Sequence, residues 1–448
     1  MSGERTRPVA GVPGVDFTVD DVRGRFPVEL EIKPLSRPVD ATVRVPGSKS
    51  VTNRALVVAA LADGRSRILN PLFSDDSYWL MDALVRLGFG VRADREGGEV
   101  EILGLGGRVP NEDVEVFVGN AGTVARFLPP ALALGPGPYR LDGVPRMRER
   151  PVGDLVDAMR ELGAAVRYAD GEGRFPLVVE GGGLRGGTAS VEGSKSSQFL
   201  SGLLMAAPYA REGMTLEVEG ELVSKPYVGI TTGVMRSFGV GVEEEGGRFT
   251  VRPAAYGARD YPVEPDASGA SYFMAAAAVT GGRVEIPGLG SSSPQGDLRF
   301  AEVLERMGCE VRIERDRVAV QGPRRLRGVD VDMNAFSDTM ITLAAIAPFA
   351  DGPTTIRDVE HTRHQETDRI SAVATELARL GADVREHRNG IRIIPRETRP
   401  TSIRTYDDHR MAMGFAVTGL VAAGISIQNP ACVTKTFPDF FRKLDALR

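Results

Sequence analysis

The sequence predicts an α/β (α+β) protein of two similar domains, each made of three repeated units, facing each other across a cleft. Three observations carry that prediction. A helix-like segment that ends in glycine and runs straight into a strand recurs at intervals of roughly seventy residues. A Pro-rich stretch, Tyr261 to Asp266, divides the copies and precedes a new apolar helix. Loops rich in cations and hydroxyls are scattered along both parts, so they meet only if both domains face one cleft.

The copies run from Asp82 to Val91, Asp157 to Val166, Gly233 to Val242, Glu302 to Val311 and Thr375 to Val384. In each, a glycine (Gly88, Gly163, Gly239, Gly308, Gly381) lies one residue past the apolar periodicity, where a left-handed cap costs glycine least. A Val-bearing alternating strand follows, for example Val384 to Ile394. Phe437 to Leu447 reads as a degenerate sixth helix.

At 448 residues, with 42% hydrophobic and 26% charged side chains, the chain can build a large core without staples. Its longest apolar runs, Phe273 to Val279 and Leu343 to Ala350, fall well short of a membrane span. Cys309 and Cys432 make neither a disulfide framework nor a metal knuckle and suit a reducing cytoplasm. Residues 1–27 are polar and rich in Gly, Pro and acids, without a signal-peptide core, and read as a loosely ordered extension. A net charge of -5 argues against a nucleic-acid partner. A mildly acidic body with locally basic loops suits a small anionic substrate.

The first of those loops is Pro46-Gly47-Ser48-Lys49-Ser50-Val51-Thr52-Asn53-Arg54, directly before the apolar run Ala55 to Leu61. It reads as a tight turn feeding a helix, with cations and free N–H groups at the helix start, a place that binds phosphate or carboxylate. Gly119-Asn120-Ala121-Gly122-Thr123, followed by Arg126, repeats the logic. Arg146-Met147-Arg148-Glu149-Arg150-Pro151 packs guanidinium forks before another helix. Ser194-Lys195-Ser196-Ser197-Gln198 offers more donors than capping needs, and Ser224-Lys225-Pro226-Tyr227 is a further polar turn. Each loop alone also reads as a surface turn, an N-cap or a solvated charge run.

The second half supplies proton-transfer groups. Asp297 follows Gln295-Gly296, either as an acid/base or as an N-cap. Glu366 and Arg369, in Arg363-His364-Gln365-Glu366-Thr367-Asp368-Arg369, are spaced as an i, i+3 ion pair or as a catalytic couple. Asp407-Asp408-His409-Arg410 opens a buried-looking helix, and Thr434-Lys435-Thr436 adds a late cation. The four histidines (361, 364, 387 and 409) show no metal-site spacing.

Taken together, Gly-Ser-Lys-Ser-x-Thr-Asn-Arg, Gly-Asn-Ala-Gly-Thr, Arg-Met-x-Glu-Arg-Pro, Glu-Thr-Asp-Arg, Asp-His-Arg-Met-Ala-Met and Lys-Thr-Phe-Pro-Asp resemble the enolpyruvyl transferases. The similarity runs from about Leu30 to the C-terminus, six motifs in order. The Ser-Lys-Ser…Arg loop and the Glu-Arg-Pro turn match the branch that acts on shikimate 3-phosphate. That favours this branch over the sister branch, which shares the fold and modifies UDP-N-acetylglucosamine.

The resemblance implies β-α-β-α-β-β units and two domains, residues 28–47 with 264–448 and residues 48–263, the chain crossing twice. It implies transfer of the enolpyruvyl group of phosphoenolpyruvate to the 5-hydroxyl of shikimate 3-phosphate, with loss of phosphate from a tetrahedral adduct. Position by position, Lys49, Gly122, Arg150, Gln198, Arg369, His409, Arg410 and Lys435 would hold phosphoenolpyruvate. Lys49, Ser50, Arg54, Ser196, Ser197, Gln198, Ser224, Tyr227, Asp297, His361 and Gln365 would hold shikimate 3-phosphate. Asp297 would take the hydroxyl proton, Glu366 would serve the methylene carbon, and Lys49 the departing phosphate. No cofactor or metal is implied, the partners are the two small substrates rather than a membrane or nucleic acid, and a cytoplasmic monomer is expected.

Three positions depart from the pattern. Many relatives carry Lys where this chain has Gln365, Asn where it has His361, and Pro where it has Phe127. Two of the three fall on the acceptor side. They leave room for a paralogue with another hydroxyl acceptor; a non-catalytic anion-binding descendant is the other competing reading.

Overall fold

All five repeat glycines adopt the left-handed conformation, with φ between 88° and 107°. They end or follow the helices Asp75–Arg86, Gly153–Glu161, Pro226–Ser237, Phe300–Arg306 and Arg369–Leu380 and turn the chain into the next strand. The structure is a computed structural model that describes residues 11–24 and 26–448.

One unit shows the plan. Strand Gly187–Glu192 leads through helix Ser197–Ala206 to strand Met214–Glu219, then through Pro226–Ser237 to the hairpin Glu243–Glu245 and Arg248–Val251. Gly187–Glu192 pairs parallel with Met214–Glu219, which pairs antiparallel with the hairpin. The same strand order recurs in the sheets built on Tyr139–Asp142, Asp63–Leu69, Arg283–Pro287 and Thr354–Arg357. A sixth sheet has three strands, with Glu29–Ile32 paired to Ile425–Gln428 in place of a hairpin. The expected strand Val384 to Ile394 is itself a hairpin, Asp383–His387 with Gly390–Ile394, because Arg388 and Asn389 turn the chain.

Two strands are each followed by a helix of the other half. Asp40–Thr42 pairs parallel with Arg283–Pro287, yet the chain then enters helix Lys49–Leu61. Asp260–Pro262 pairs parallel with Asp63–Leu69 before the chain enters helix Ala267–Thr280. The two crossings run side by side. Ser48 N–H donates to Glu264 O at 2.8 Å and Asp266 N–H to Pro46 O at 2.9 Å. A Cβ on Gly47 would stand 2.1 Å from Asn70 O, so only glycine passes there. Asp266 caps both departing helices, accepting from Gly269 N at 2.7 Å and Lys49 N at 3.0 Å.

Buried apolar side chains form two clusters. One spans Val51 to Val263 and includes Val12 to Val22; the other joins Ile32 to Val45 with Ala267 to Leu447. We call these the first and second halves. Part of the expected loose extension is packed instead. Val12, Val15, Phe17, Val19 and Val22 are buried in the first cluster, and Phe17 meets the rings of Phe73 and Tyr78. The polar average of that segment hid a regular set of apolar positions. Residues 1–10 and 25 of the extension lie outside the described residues.

Candidate active site

The cleft between the halves is walled by helix starts. Lys49–Leu61, Gly122–Leu132 and Ser197–Ala206 open onto it from the first half, and Arg369–Leu380 and His409–Thr418 from the second. A helix start carries unpaired N–H groups and the positive end of the peptide dipoles, so their convergence favours anions. Within the opening loop, Thr52 and Asn53 serve structure. Thr52 Oγ1 accepts from Leu72 N at 2.9 Å, and Asn53 donates to Thr123 at 2.6 Å. That leaves Lys49, Ser50 and Arg54 for the cleft.

Most residues named from the sequence share this one cleft: Lys49, Ser50, Arg54, Gly122, Arg150, Ser196, Ser197, Gln198, Ser224, Tyr227, His361, Gln365, Glu366, Arg369 and Arg410. Gly122 lets the Arg150 guanidinium lie close against the helix start, where a Cβ would stand 2.7 Å from Arg150 Nη2.

Three named residues stand off this wall. Asp297 is buried in a smaller adjoining cavity behind Tyr227, whose hydroxyl donates to it at 2.7 Å. His409 is fully buried, with neither ring nitrogen hydrogen-bonded; its Nδ1 is 3.6 Å from Asp408. Lys435 lies at the seam beside the cleft, 2.6 Å from Asp76 Oδ1 and 3.4 Å from Glu366 Oε1.

Sequence reasoning missed Asp338, which does line the cleft. It accepts from Arg410 Nη2 at 2.6 Å and Arg369 Nη1 at 3.1 Å, and it stands 2.9 Å from the Tyr227 hydroxyl. It lies in Phe336-Ser337-Asp338-Thr339, a stretch with no nearby cation or glycine to mark it. The structure places it in a short, irregular helical turn, Asn334–Thr339. Arg126 and Asp76 were likewise not assigned roles.

The charges fall into two sets. Arg369 is saturated: Nε donates to Asp408 at 2.8 Å and Nη2 to Glu366 at 3.0 Å, and Nη1 donates to both Asp338 and the Gln365 side chain. By contrast, Arg54, Arg126 and Arg150 are buried and form no ion pair among the described residues. Arg54 donates to Thr231 at 2.6 Å, Ser50 O at 3.0 Å and Ser201 at 3.2 Å. Arg126 donates to Pro151 O at 3.0 Å. Two nitrogens of Arg150, Nε and Nη1, are buried without a hydrogen-bond partner. Burial pulls Arg54 down to about 10 and lowers Arg126 and Arg150. Buried cations of this kind need an anion to offset their desolvation.

The carboxylates divide as sharply. Burial works to raise Asp338, but Arg410 and Arg369 outweigh it and hold it below the usual carboxylate range. Burial likewise opposes ionisation of Glu366, yet Arg369, Lys435 and Arg150 keep it well below its ordinary value. Asp297 goes the other way, pushed up to about 6 by burial and by Asp338. Burial lowers the Lys49 ammonium, against the pull of Asp76. His361 is lowered to about 4 by burial, and His409 falls by burial and by Arg410, so both rings are neutral near pH 7.

The departing positions have local reasons. The Gln365 side chain accepts from Arg369, and its carbonyl accepts from Arg146 of the first half at 3.2 and 3.0 Å. A lysine there cannot accept from Arg369. His361 Nε2 sits 2.8 Å from Ser337 and 3.4 Å from Ser224. Phe127 places its ring under Arg54, 4.9 Å from the guanidinium carbon.

The family model of EPSP synthase (3-phosphoshikimate 1-carboxyvinyltransferase) matches residues 34–444. The chain belongs to that family. A 3-phosphoshikimate 1-carboxyvinyltransferase of Nostoc punctiforme is 50% identical over 416 residues, covering 92% of this chain and 98% of the relative. The chloroplastic protein of that name from Solanum lycopersicum is 47% identical over 442 residues, covering 93% of this chain and 84% of its own length. The solved EPSP synthase of Acinetobacter baumannii superposes with a TM-score of 0.80 at 26% identity, covering 94% and 98% of the two chains. The enolpyruvyl transferase NikO of Streptomyces tendae, 20% identical with a TM-score of 0.75, shares the fold. The expected two-domain architecture is thus that of the EPSP synthase family. No helix among the described residues is long and apolar enough to cross a membrane.

Proposed function

We propose that this protein transfers the enolpyruvyl group of phosphoenolpyruvate to the 5-hydroxyl of shikimate 3-phosphate and releases phosphate, a step of aromatic biosynthesis. Family membership sets the reaction class. Arg150 is the observation that carries the reading at this site: a buried guanidinium with two unpartnered nitrogens, in a cleft that also holds Arg54 and Arg126 without ion pairs. Two substrates bearing two phosphates and two carboxylates supply the anions those cations lack.

In this reading Lys49, Gly122, Arg150, Gln198, Arg369 and Arg410 hold phosphoenolpyruvate, with Lys435 and His409 behind them. Ser50, Arg54, Ser196, Ser197, Ser224, Tyr227, His361 and Gln365 hold shikimate 3-phosphate. The base moves from Asp297 to Asp338, because Asp338 is ionised at the cleft wall whereas Asp297 is screened by Tyr227. The methylene carbon gains a proton drawn from solvent by way of Glu366, whose carboxylate is otherwise held ionised by Arg369, Lys435 and Arg150. The 5-oxygen bonds to the adjacent carbon as its proton passes to Asp338. The adduct then loses a methyl proton and expels phosphate beside Lys49. Fixed cations stabilise the charge that develops on both phosphates.

The domain division 28–47 with 264–448 and 48–263 belongs to the same proposal, supported by the two apolar clusters. So do a monomer, since one chain supplies every group of the site, and a cytoplasmic location, which two buried free thiols suit. Phosphate release from phosphoenolpyruvate tests the reading, measured with shikimate 3-phosphate, with shikimate, with UDP-N-acetylglucosamine and without acceptor. Release dependent on shikimate 3-phosphate is expected; release with another acceptor alone overturns the assignment.

A further inference from the structure

Residues 12–24 and Phe26 precede the span matched to the family, which begins at residue 34, yet they are built into both halves. In the first half, Gly14 O accepts from Ala93 N at 2.8 Å, and Phe17 packs on Phe73 and Tyr78. A short helix, Val19–Arg23, is fixed by a reciprocal capping box between Thr18 and Asp21. The chain then reaches the second half, where Phe26 meets Phe441, and Val28 O accepts from Asn429 N at 2.8 Å.

Between those anchors it passes the seam beside the cleft. There Asp75 and Asp76, at the start of Asp75–Arg86, meet the turn Pro430–Lys435 of the second half. Lys435 bonds Asp76 at 2.6 Å and Asn120 O at 3.0 Å, while Thr434 donates to Asp75 Oδ2 at 3.2 Å. Arg23 donates to the same Asp75 oxygen at 3.4 Å. It lines one cavity with Asp407 of the second half, whose charge it offsets. Asp407 immediately precedes Asp408, the partner of Arg369. One guanidinium therefore faces a carboxylate from each wall of the seam.

We propose that residues 12–24, with Phe26, form a strap across the seam and that Arg23 is a positioning residue, holding the closed arrangement in which Lys435 sits between Asp76 and Glu366. Without the Arg23 charge, the strap loses its ion pair with Asp75, and both Asp75, already pushed up to about 6 by burial, and Asp407 lose a cation that favours their ionised forms. The contacts that Asp75 makes across the seam then weaken, and the halves part more readily. The effect on catalysis rests on the function proposed above; the effect on the seam does not.

The test uses the full chain with Arg23→Lys, Arg23→Ala and Arg23→Glu. Arg23→Glu is expected to raise the KM for phosphoenolpyruvate roughly tenfold and Arg23→Ala roughly threefold to fivefold, with kcat within a factor of about two. Arg23→Lys should stay within about twofold of the parent, because it keeps the charge. Trp79, the one tryptophan of the chain, lines the same seam cavity and gives a readout independent of turnover. Acrylamide quenching of its fluorescence should rise in Arg23→Glu and not in Arg23→Lys. An unchanged KM and unchanged quenching in Arg23→Glu overturn the strap. Equal loss in Lys, Ala and Glu variants with lowered melting temperatures also overturns it, leaving Arg23 a folding residue. If the parent releases no phosphate, the proposed function fails, and the quenching series still decides the strap.

Discussion

The Tyr227 hydroxyl stands 2.9 Å from Asp338, and the two side chains come from opposite halves of the protein. That one contact separates two carboxylates: Asp338 faces the cleft, and Asp297 lies behind the tyrosine. Asp338→Asn should therefore lower kcat by a factor of about a hundred or more, the usual scale of losing a positioned base. Asp297→Asn should leave kcat within about tenfold, since its amide can still hydrogen-bond Tyr227 and Ser268. Steady-state kinetics on the two variants decides between them, and the reverse ranking would restore Asp297 as the base.

Lys435→Met removes the cation that joins Asp76 to Glu366 across the seam. Asp76 is 2% exposed and keeps only Lys49, at 3.6 Å. Breaking one partner of a buried pair costs about 3 kcal/mol, somewhat less with a second cation near. Urea denaturation should show that loss, and kcat/KM for phosphoenolpyruvate should fall with it.

His361 carries a pH signature. Its folded value is about 4, below its ordinary 6.5, because burial disfavours the imidazolium. The unfolded chain thus binds the extra proton between those values. The stability contribution is complete above about pH 6.5 and is lost as the pH falls toward 4. His361→Gln removes this titration, so the stability difference between pH 7 and pH 5 should shrink by about 1–2 kcal/mol. Denaturation curves at the two pH values measure it. An unchanged difference would mean that His361 is not buried neutral.

Gly47→Ala should destabilise the protein by about 1–3 kcal/mol or more through overpacking, because the new Cβ meets a backbone carbonyl 2.1 Å away. The position joins the halves, so the melting transition should also broaden. Calorimetry checks both, and a parent-like transition would mean that the crossing strands have room to shift.

The repeat was legible because it rests on local chemistry. A helix that ends in left-handed glycine announces itself in sequence, as Gly88 and Gly381 do. Lys49, Arg150, Arg369 and Arg410 were legible as candidates too, since each follows or opens a helix in a polar run, although each run alone also read as a turn, a cap or an ion pair. Asp338 was not. Nothing beside it in sequence marks it, and its meaning comes from Arg369, Arg410 and Tyr227, residues 31, 72 and 111 positions away. Gln365 read as a lost charge in sequence, and in the structure it is an acceptor for Arg369.

The sequence by itself determined the α/β repeat, the family, the loops that face the cleft and the excess of cations there. Those properties depend on residue type and near-neighbour spacing. Tertiary structure decided which cations stay uncompensated, which aspartate reaches the cleft and that residues 12–24 with Phe26 tie one half to the other. Each of those outcomes is set by burial and by charges brought together from distant segments. A side chain's worth as acid, base or anion site depends on the field and solvent around it, and that environment exists only once the two halves have met.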